Sequence, residues 1–553
     1  MEKFFTAIAM SAVVAFMPMS AAAFTVDGIS YHESSNQASA VTIYSAWPKE
    51  MPSTDVVIPE TVTYRDKEYT VVGIDEKSFS GCPITSVVIP NTVTSIGLQA
   101  FRNCTSLASV VLPASLSDWG NAIFFSCTGL KSVTLPEGLT KIGGSAFIAC
   151  ESLDGVTLPS TLTEIGDAAF CQCKSLTSIT IPDGVTEVGP NVFSDCISLE
   201  YVKLPSALTA IDSFAFSQTA LSSIELPRNL KSIGMNAFYG CEKLSDVNLP
   251  EGLEKIDSRA FYNCPNLKQT PLPAGMKTIG SEAFNTPGWT SLVIPENVET
   301  IGSGAFSGCS DIVDLEYNAV KCGFISGQAF PVTLKNVSFG NKVEAIPGNL
   351  LTGCSLIESV SLPETVTSIG GAAFAGCSLL TELDIPDQVT TIDVEAFKGC
   401  EGLLEVTLGK NIETIGIGAF KGCTALQGLT SNNPEPPVAA KECFDGIDKQ
   451  TCVLYVPSAS IEKYAGADEW RQFVNINGES SATNDVRAEN RSMDICIDGT
   501  SLRISGADGQ PLGIYGVDGR CEWQTTRYDG EAVELQPGIH VVHVGTAALK
   551  VSL

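Results

Sequence analysis

Residues 176–196 read LTSITIPDGVTEVGPNVFSDC, and this stretch decides the fold of the chain. Apolar residues from Leu176 to Ile181 alternate with polar ones and stop at a proline, a pattern that predicts a short strand. Asp183-Gly184 predicts a turn after that strand. Phe193 and Cys196 lie three residues apart, which predicts a single helical or 3₁₀ turn. One such unit cannot bury its apolar side chains alone, so the pattern predicts stacking on neighbouring copies.

The same unit recurs along most of the chain, with an aromatic anchor at a fixed place in each copy. The anchors are Phe79, Phe101, Phe124, Phe147, Phe170, Phe193, Phe216, Phe238, Phe261, Phe284, Phe306, Phe330, Phe374, Phe397, Phe420 and Phe444, with Leu351 in the place between Phe330 and Phe374. The 16 intervals from Phe79 to Phe444 cover 365 residues, so the 17 units have a mean period of 22.8 residues. Such a period is typical of a leucine-rich-type solenoid, whose parallel strands stack about 4.8 Å apart into a rod or arc roughly 75 Å long.

The consensus L-x-x-[VI]-x-[IL]-P-x-x-[VL]-x-x-[IV]-G-x-x-A-F-x-x-C resembles the BspA-like leucine-rich repeat family of bacterial surface proteins. The resemblance covers about residues 56 to 457. It implies a repeat solenoid with a parallel β ladder and short helical or 3₁₀ turns at residues 71–457. Residues 24–70 resemble the N-terminal β module of that family and are expected to cap the solenoid.

Two further features concern the far part of the solenoid. The sequence predicts a last strand before residue 458 and a helical cap at residues 458–479, with Ser458 or Ser460 as the helix N-cap. The interval between Phe306 and Phe330 is 24 residues long. This irregularity indicates either a bend in the arc or a tolerated drift of the repeat, and the sequence leaves both open.

The chain begins with a pattern typical of export. Residues 1–23 have a short basic start, an apolar core of under 18 residues and a close on Ala21-Ala22-Ala23. These features predict a secretory signal peptide rather than a membrane span. Because no later apolar run is long enough, we expect no transmembrane span and a mature protein outside the cytoplasm.

The C-terminal tail differs from the repeats. Residues 480–490 are polar and predict a linker. Residues 491–553 alternate in strand fashion with Asp-Gly turns, which predicts a small β-sandwich. This tail resembles the C-terminal sorting domain of type IX secretion substrates, which implies transport across the outer membrane followed by display or release. The alternative is an ordinary terminal β domain without a sorting role.

Composition excludes several classes of function. The chain has 33 Lys+Arg against 62 Asp+Glu, a net charge of −29, and only 17% charged residues. The shortage of bases argues against nucleic-acid binding and against docking onto anionic lipid. Histidine is the most common general base, yet His32, His540 and His543 all lie outside the repeats. We therefore expect a non-enzyme with no cofactor and no metal, although a site that uses His32 between modules stays open.

The 19 cysteines follow the repeat. Thirteen stand three residues after an anchor: Cys82, Cys104, Cys127, Cys150, Cys173, Cys196, Cys241, Cys264, Cys309, Cys354, Cys377, Cys400 and Cys423. This spacing predicts a ladder of buried thiols, since a small apolar side chain fits beside the anchor. Disulfides, usual in exported proteins, and zinc are the alternatives. Cys443–Cys452 and Cys496–Cys521 lie outside the ladder and are the better disulfide candidates.

Outward strand positions supply the candidate binding residues. Most are Ser and Thr, which suit a strand without any binding role. Five break this run and form a candidate protein-binding patch: Tyr201, Lys203, Glu225, Asp246 and Asn248.

The family resemblance implies a non-catalytic adhesion scaffold, secreted and displayed at the outer-membrane surface. Its implied partner is a host or bacterial surface or extracellular-matrix protein, and we expect a monomer. The alternative is an extracellular carbohydrate-binding component or an enzyme that acts on polymers.

Overall fold

The computed structural model describes residues 23–34, 39–46, 53–285, 288–323 and 325–479, together with the strands of the C-terminal tail. The predicted signal peptide, except Ala23, and the predicted linker lie outside the described residues. Within the repeats the chain winds into a parallel β-solenoid of about 18 turns with very little helix, which confirms the predicted fold class.

The strand before the proline of each unit forms a first parallel ladder. Its strands are Asp55–Val57, Ser86–Val88, Ser109–Val111, Ser132–Thr134, Gly155–Thr157, Ser178–Thr180, Tyr201–Lys203, Ser223–Ile224, Asp246–Val247, Ser291–Ile294, Asp314–Tyr317, Asn336–Phe339, Glu382–Asp384, Glu405–Leu408, Gly428–Ser431, Val453–Pro457 and Asn475–Glu479. Register joins equivalent residues of successive units, for example Ser178 with Tyr201. Alternate side chains therefore point into the core and out to solvent.

A second parallel ladder follows the turn of each unit. Its strands are Lys67–Ile74, Ser95–Ile96, Asp118–Trp119, Lys141–Ile142, Glu164–Ile165, Glu187–Val188, Ala210–Ile211, Ser232–Ile233, Lys255–Ile256, Thr278–Ile279, Thr300–Ile301, Ala345–Ile346, Ser368–Ile369, Thr391–Ile392, Thr414–Ile415 and Val438–Ala439. In the sequence this segment shows only an apolar pair followed by a glycine, for example Val185, Val188 and Gly189. With two residues per strand in most turns, this ladder is too short to show the alternation by which strands are recognised.

The segment around the anchor, called the turn face below, closes each unit. The N–H of Cys104 donates to the carbonyl of Phe101 at 3.2 Å, which closes a four-residue turn. The chain turns between the anchor and the cysteine as expected, but the positive φ of Asn103 makes this a β-turn rather than the predicted helical or 3₁₀ turn. Gln99 and Asn103, two residues before and after the anchor, have φ of 57° and 60°. Each stands at the third position of a turn where positive φ is required, as in type II turns.

The anchors form a continuous aromatic stack in the core. All 17 anchor side chains are at most 1% exposed. Consecutive rings from Phe79 to Phe330, and again from Phe374 to Phe444, lie 5.0 to 6.1 Å apart between centroids and are nearly parallel. Leu351 separates the two stacks. Each ring inside a stack thus buries its surface against the rings of both neighbouring turns.

The predicted cysteine ladder runs beside the stack, with every member buried. The thiol of Cys150 donates to the carbonyl of Phe124 at 3.2 Å, and the N–H of Cys127 donates to that same oxygen at 3.0 Å. The thiol therefore uses the second lone pair of an anchor carbonyl in the preceding turn. In the Phe216 unit, which lacks the cysteine, Thr219 donates to the Phe216 carbonyl at 2.9 Å.

The 17 cysteines whose side chains are described are all reduced thiols. This set includes Cys443 and Cys452, so the disulfide suggested between them is wrong. Both side chains are fully buried, and burial raises the pKa of Cys443 to about 12 and of Cys452 to about 11. The side chains of Cys496 and Cys521 lie outside the description, so the second suggested disulfide stays a prediction.

Antiparallel strands precede the solenoid. They are Phe24–Val26, Ile29–Glu33, Ala40–Ala46 and Thr61–Tyr64. Lys67–Ile74 pairs antiparallel with Thr61–Tyr64 and parallel with Ser95–Ile96. It therefore crosses the predicted boundary at residue 70 and carries the sheet of the N-terminal module directly into the second ladder.

The far part of the solenoid differs from the prediction in two details. A helix at Ile461–Gly466, flanked by 3₁₀ turns at Ser458–Ser460 and Trp470–Gln472, follows the strand Val453–Pro457 as expected. That strand is not the last, because Asn475–Glu479 pairs with it in parallel. Neither serine caps a helix with its side chain. The Ser460 hydroxyl donates instead to the carbonyl of Pro434 at 2.8 Å.

The C-terminal tail forms two antiparallel sheets. One contains Asp494–Asp498, Ser501–Ser505 and Val533–Glu534, and the other contains Leu512–Gly516, Cys521–Thr525, Ile539–Val544 and Ala547–Ser552. Packing of one sheet on the other as a sandwich stays a prediction.

One region, residues 307–366, departs from the regular repeat and is called the junction below. The second ladder breaks between Thr300–Ile301 and Ala345–Ile346. The first ladder has four-residue strands from Ser291–Ile294 to Asn336–Phe339, against two or three residues in the turns from Asp55–Val57 to Asp246–Val247. Tyr317 occupies the buried position that Ile181 holds in the regular unit, paired in register with Ile294 and Phe339. The 24-residue interval therefore changes the strand architecture of a whole turn.

Candidate functional site

The predicted patch lies on the outward side of the first ladder. In the strand Tyr201–Lys203 the two named residues are exposed while Val202 points into the core. Glu225 follows the next strand, and Asp246 pairs in register with Ser223 of that strand. The structure therefore brings the predicted residues together on three consecutive turns, about 4.8 Å apart per turn.

Asn248 differs from the other patch residues because its amide is already engaged. Its Oδ1 accepts the N–H of Leu226 at 2.9 Å, and its Nδ2 donates to the Leu226 carbonyl at 3.3 Å. The side chain thus replaces the backbone hydrogen bonds that a longer strand would form here, because the strand Asp246–Val247 ends one residue before Asn248. Its first role is to join two turns, which leaves Tyr201, Lys203, Glu225 and Asp246 as the side chains offered to a partner.

Tyr201 dominates the exposed surface of the patch. It is 58% exposed, a high value for a large aromatic side chain. Lys203 adds one cation, and Glu225 and Asp246 add two carboxylates. Such a mixture of an aromatic ring and opposite charges suits recognition of a polar protein surface.

Ion pairs between turns account for many of the other lysines. Lys141 pairs with Glu164 at 2.6 Å, and Lys174 pairs with Glu151 at 2.7 Å, each across 23 residues. These side chains are 45% to 56% exposed, so each pair contributes little to stability. Their main effect is local neutralisation of cations, which leaves the excess of carboxylates to set the surface charge.

His32 lies in a polar cluster at the N-terminal module. Its Nε2 contacts both the Asp75 carboxylate and the Thr42 hydroxyl, while its Nδ1 lies 3.2 Å from the carbonyl of Glu33. A nucleophile–histidine–acid triad needs the nucleophile and the acid on different ring nitrogens. Here both contact the same nitrogen, so the cluster does not form a triad.

Metal chemistry finds no support in the part of the chain that the structure describes. No three His, Cys, Asp or Glu side chains converge there on one point. The ladder cysteines each face a backbone carbonyl in the preceding turn instead. Burial also raises the pKa of thiols such as Cys150 and Cys354 to about 12, so they stay protonated at neutral pH and are poor ligands.

The repeat geometry agrees with a known sequence family. The profile described as the BspA type leucine-rich repeat region matches residues 72–200, 186–313 and 323–448, about two thirds of the chain. The chain belongs to the BspA-type leucine-rich repeat family. Repeat solenoids of this family generally bind proteins. The predicted membership is thereby confirmed, whereas the type IX resemblance of the tail stays a prediction.

Solved structures include other leucine-rich repeat proteins. A leucine-rich repeat protein from Bacteroides ovatus is 30% identical, with 74% of this chain and 94% of that chain covered and a TM-score of 0.48. A leucine rich cell surface protein from Faecalibacterium prausnitzii is 27% identical, with coverages of 75% and 95% and a TM-score of 0.37. The T. pallidum leucine-rich repeat protein is 29% identical, with coverages of 34% and 86% and a TM-score of 0.31. A comparison with curated proteins finds no match.

Two further observations complete the site of this BspA-type solenoid. None of the helices in the described ranges is long and apolar enough to cross a membrane. Sequence analysis also missed two half-exposed aromatic side chains on the turn face, Tyr239 and Tyr262, whose rings stack 5.6 Å apart. Each stands directly after an anchor, where Cys171, Ser194 and Ser217 stand in the preceding turns. Two tyrosines in successive turns, at a position that holds an aromatic residue elsewhere only at Phe125, were the available signal.

Proposed function

We propose that the protein is a non-catalytic scaffold displayed outside the cell that binds a host or bacterial surface or extracellular-matrix protein. One observation carries the proposal: the outward side of the first ladder offers a long, regular surface on which Tyr201, Lys203, Glu225 and Asp246 stand together. Each turn contacts mainly its neighbours, so outward residues vary without disturbing the core. A large surface with freely variable side chains suits protein recognition.

Export supports the same proposal. The pattern of residues 1–23 is that of a signal peptide, and the tail resembles a type IX sorting domain. The F. prausnitzii relative is described as a cell surface protein. We propose that the leader directs export and that the tail directs passage across the outer membrane. Deletion of residues 491–553 is expected to leave the protein in the periplasm, as cell fractionation and surface labelling would show.

The binding role is tested with the mature full chain against a panel of immobilised matrix and plasma proteins. A variant with Tyr201→Ala, Lys203→Ala, Glu225→Ala and Asp246→Ala should lose at least tenfold in affinity for any protein that the native chain binds. Asn248 is left intact because its amide joins two turns. The matched control carries Ser109→Ala, Thr134→Ala and Thr157→Ala on the same ladder and should bind normally. Equal affinity of all three proteins would remove the patch from the proposal.

A further inference from the structure

A cluster of large apolar and aromatic side chains lies on the turn face between residues 212 and 264. Tyr239 and Tyr262 are half-buried and stack with an interplanar angle of 3°. Met235, in the same turn as Tyr239, is 42% exposed. Phe214, one turn earlier, is also half-exposed. We call these four residues the aromatic cluster.

Phe214 stands in a backbone conformation that disfavours it. Its φ is 59°, in the left-handed region. The equivalent places in the adjacent turns are held by Asn191 and Asn236, a residue type that tolerates this region. Positive φ recurs at this place in most turns, for example at Gln99 and Glu282, so the repeat itself imposes it. The half-exposed ring of Phe214 therefore lies on the turn face rather than in the core.

The two tyrosine hydroxyls of the cluster are free to donate to a ligand. The hydroxyls of Tyr239 and Tyr262 form no hydrogen bond with any described residue, and both side chains are half-buried. Arg259 lies over the Tyr262 ring at 5.7 Å and is held by Glu282 at 2.8 Å and 3.1 Å. Because Glu282 neutralises Arg259, the cluster itself has no net charge.

Carboxylates surround the cluster without matching cations. Asp195, Asp212 and Glu242 lie in the same turns or one turn away, and none pairs with a lysine or arginine among the described residues. Lys243, next to Glu242 in the sequence, forms an ion pair with Glu200 instead, with 3.4 Å between Nζ and Oε1. The rim is therefore acidic, in a chain whose net charge is −29. A partner with cationic side chains complements this rim.

The spacing of the cluster residues along the solenoid axis favours a partner segment in an extended conformation. Phe214 and Tyr262 stand two turns apart, about 10 Å along the axis at 4.8 Å per step. A polyproline II segment repeats every three residues, which is about 9 Å at its rise of 3.1 Å per residue. Its backbone carbonyls have no internal partners and can accept from tyrosine hydroxyls, and aromatic grooves bind such segments.

From these contacts we propose that the aromatic cluster binds an extended, basic, proline-containing segment of a protein partner, laid along the solenoid axis. This inference rests on the proposed scaffold function and adds a second surface to it, on the turn face rather than on the first ladder. Prolines contact Phe214, Met235 and Tyr262, the tyrosine hydroxyls donate to the segment's carbonyls, and its cations face Asp212 and Glu242.

The test uses three synthetic 12-residue peptides and the mature full chain, with affinity read by fluorescence anisotropy. The peptide (Pro-Pro-Arg)4 should bind at least tenfold more tightly than (Gly-Ser-Arg)4, which has equal charge without the extended conformation. The peptide (Pro-Pro-Glu)4 should not bind. Equal affinity for the two basic peptides would overturn the proposal, because binding would then be electrostatic alone.

Variants locate the site. Tyr239→Ala with Tyr262→Ala should weaken (Pro-Pro-Arg)4 binding at least tenfold, while Tyr239→Phe with Tyr262→Phe, which keeps both rings packed, should weaken it about threefold to tenfold. Glu242→Gln should weaken it and reduce its salt dependence. Ile417→Ala, at the place that Met235 holds but in a distant turn, is the matched control and should bind normally. Full affinity of the double alanine variant would overturn the proposal.

Two outcomes separate this inference from the proposed function. If (Pro-Pro-Arg)4 binds but no matrix or plasma protein does, the adhesion role fails while the cluster stands. If a protein binds and the double alanine variant leaves that binding and all peptide titrations unchanged, the scaffold stands and the cluster fails. Binding of a neutral hexasaccharide that displaces the peptide and is lost in the double alanine variant would make the cluster a glycan platform and overturn the proposal.

Discussion

The regular stretch from Phe101 to Phe284 and the junction at residues 307–366 are built from the same unit but differ in their internal contacts. In the regular stretch, successive anchor rings lie 5.2 to 5.6 Å apart. Its cysteine thiols lie 3.0 to 3.3 Å from the carbonyls that accept them. At the junction, Phe306 and Phe330 are 5.9 Å apart, and the stack stops at Leu351.

The thiol contacts change at the same place. Cys309 and Cys354 both lie 3.7 Å from their acceptors, and the acceptor of Cys354 is Pro331 rather than an anchor. The spacing of the rings, the thiol contacts and the second ladder therefore all change at the junction, where an aromatic anchor is lost at Leu351. These features of a unit depend on one another, and the anchor and its cysteine set the spacing between turns.

The largest expected effect is loss of stability at alkaline pH, concentrated in the regular stretch. Burial raises the pKa of the Cys150 thiol from 9.0 to about 12 and also raises the pKa of Cys173 and Cys264. The unfolded chain then loses protons above pH 9 that the folded chain keeps. The contribution of these thiols to the free energy of unfolding is therefore fully present below pH 9. Above pH 9 each such thiol lowers that free energy by about 1.4 kcal/mol per pH unit as the pH rises toward 12.

Urea denaturation of the mature chain between pH 7 and pH 10.5, followed by circular dichroism, measures this dependence. Replacing Cys150, Cys173 and Cys196 with alanine should reduce the slope of the free energy of unfolding against pH by the equivalent of about three protons. Cys354→Ala should reduce the same slope by the equivalent of about one proton. A stability that stays constant up to pH 10.5 would contradict the buried protonated ladder.

The next largest effect compares anchors. Phe193→Ala removes a ring stacked on both sides and is expected to lower the free energy of unfolding by about 3–5 kcal/mol. Leu351→Ala, at the junction, should cost about 2–3 kcal/mol, because a leucine has no ring stacking to lose. Denaturant titration measures both, with Ser132→Ala as the neutral surface control. A larger loss of unfolding free energy for Leu351→Ala would mean that packing at the junction stabilises the core more than the ring stack does.

These differences show what the sequence could and could not predict. The period, the anchors and the outward place of Tyr201 follow directly from alternation and spacing. The second ladder does not, because two-residue strands such as Glu187–Val188 leave no alternation to detect. The engagement of Asn248 with Leu226 and the free thiol of Cys443 depend on contacts between neighbouring turns, which one unit cannot reveal.

A smaller effect separates the two thiol geometries. Cys150→Ala removes a donor 3.2 Å from the Phe124 carbonyl and should cost about 1.5 kcal/mol. Cys354→Ala removes a contact of 3.7 Å and should cost about half as much. Denaturant titration of the two variants compares them, and the Phe216 unit supplies the control, since Cys150→Thr copies its natural Thr219 and should recover part of the loss. Equal costs at both places would show that the thiol acts only by filling space.

The smallest expected effect comes from removing a tyrosine hydroxyl. This change should stabilise the protein at the junction and destabilise it in the last turns. The hydroxyl of Tyr317 is buried at the junction, where it lies beside the Cys322 thiol and has no hydrogen-bond partner of normal geometry. Burial and the neighbouring Cys322 thiol raise its pKa well above the usual range. Tyr317→Phe removes a buried polar group while it keeps the ring, so it should stabilise the protein by about 0.5–1 kcal/mol.

Tyr464 is the matched control for that change. Its hydroxyl donates to the Asn433 carbonyl at 2.8 Å and lies 2.7 Å from the Ser431 hydroxyl. Tyr464→Phe should therefore destabilise by about 1 kcal/mol, with the same measurement by denaturant titration. If both variants destabilise, the Tyr317 hydroxyl has a partner in solution, and the junction is as well satisfied as the regular stretch. Opposite signs would show that the polar burial at Tyr317 costs stability, whereas the hydroxyl of Tyr464 contributes stability through its two partners.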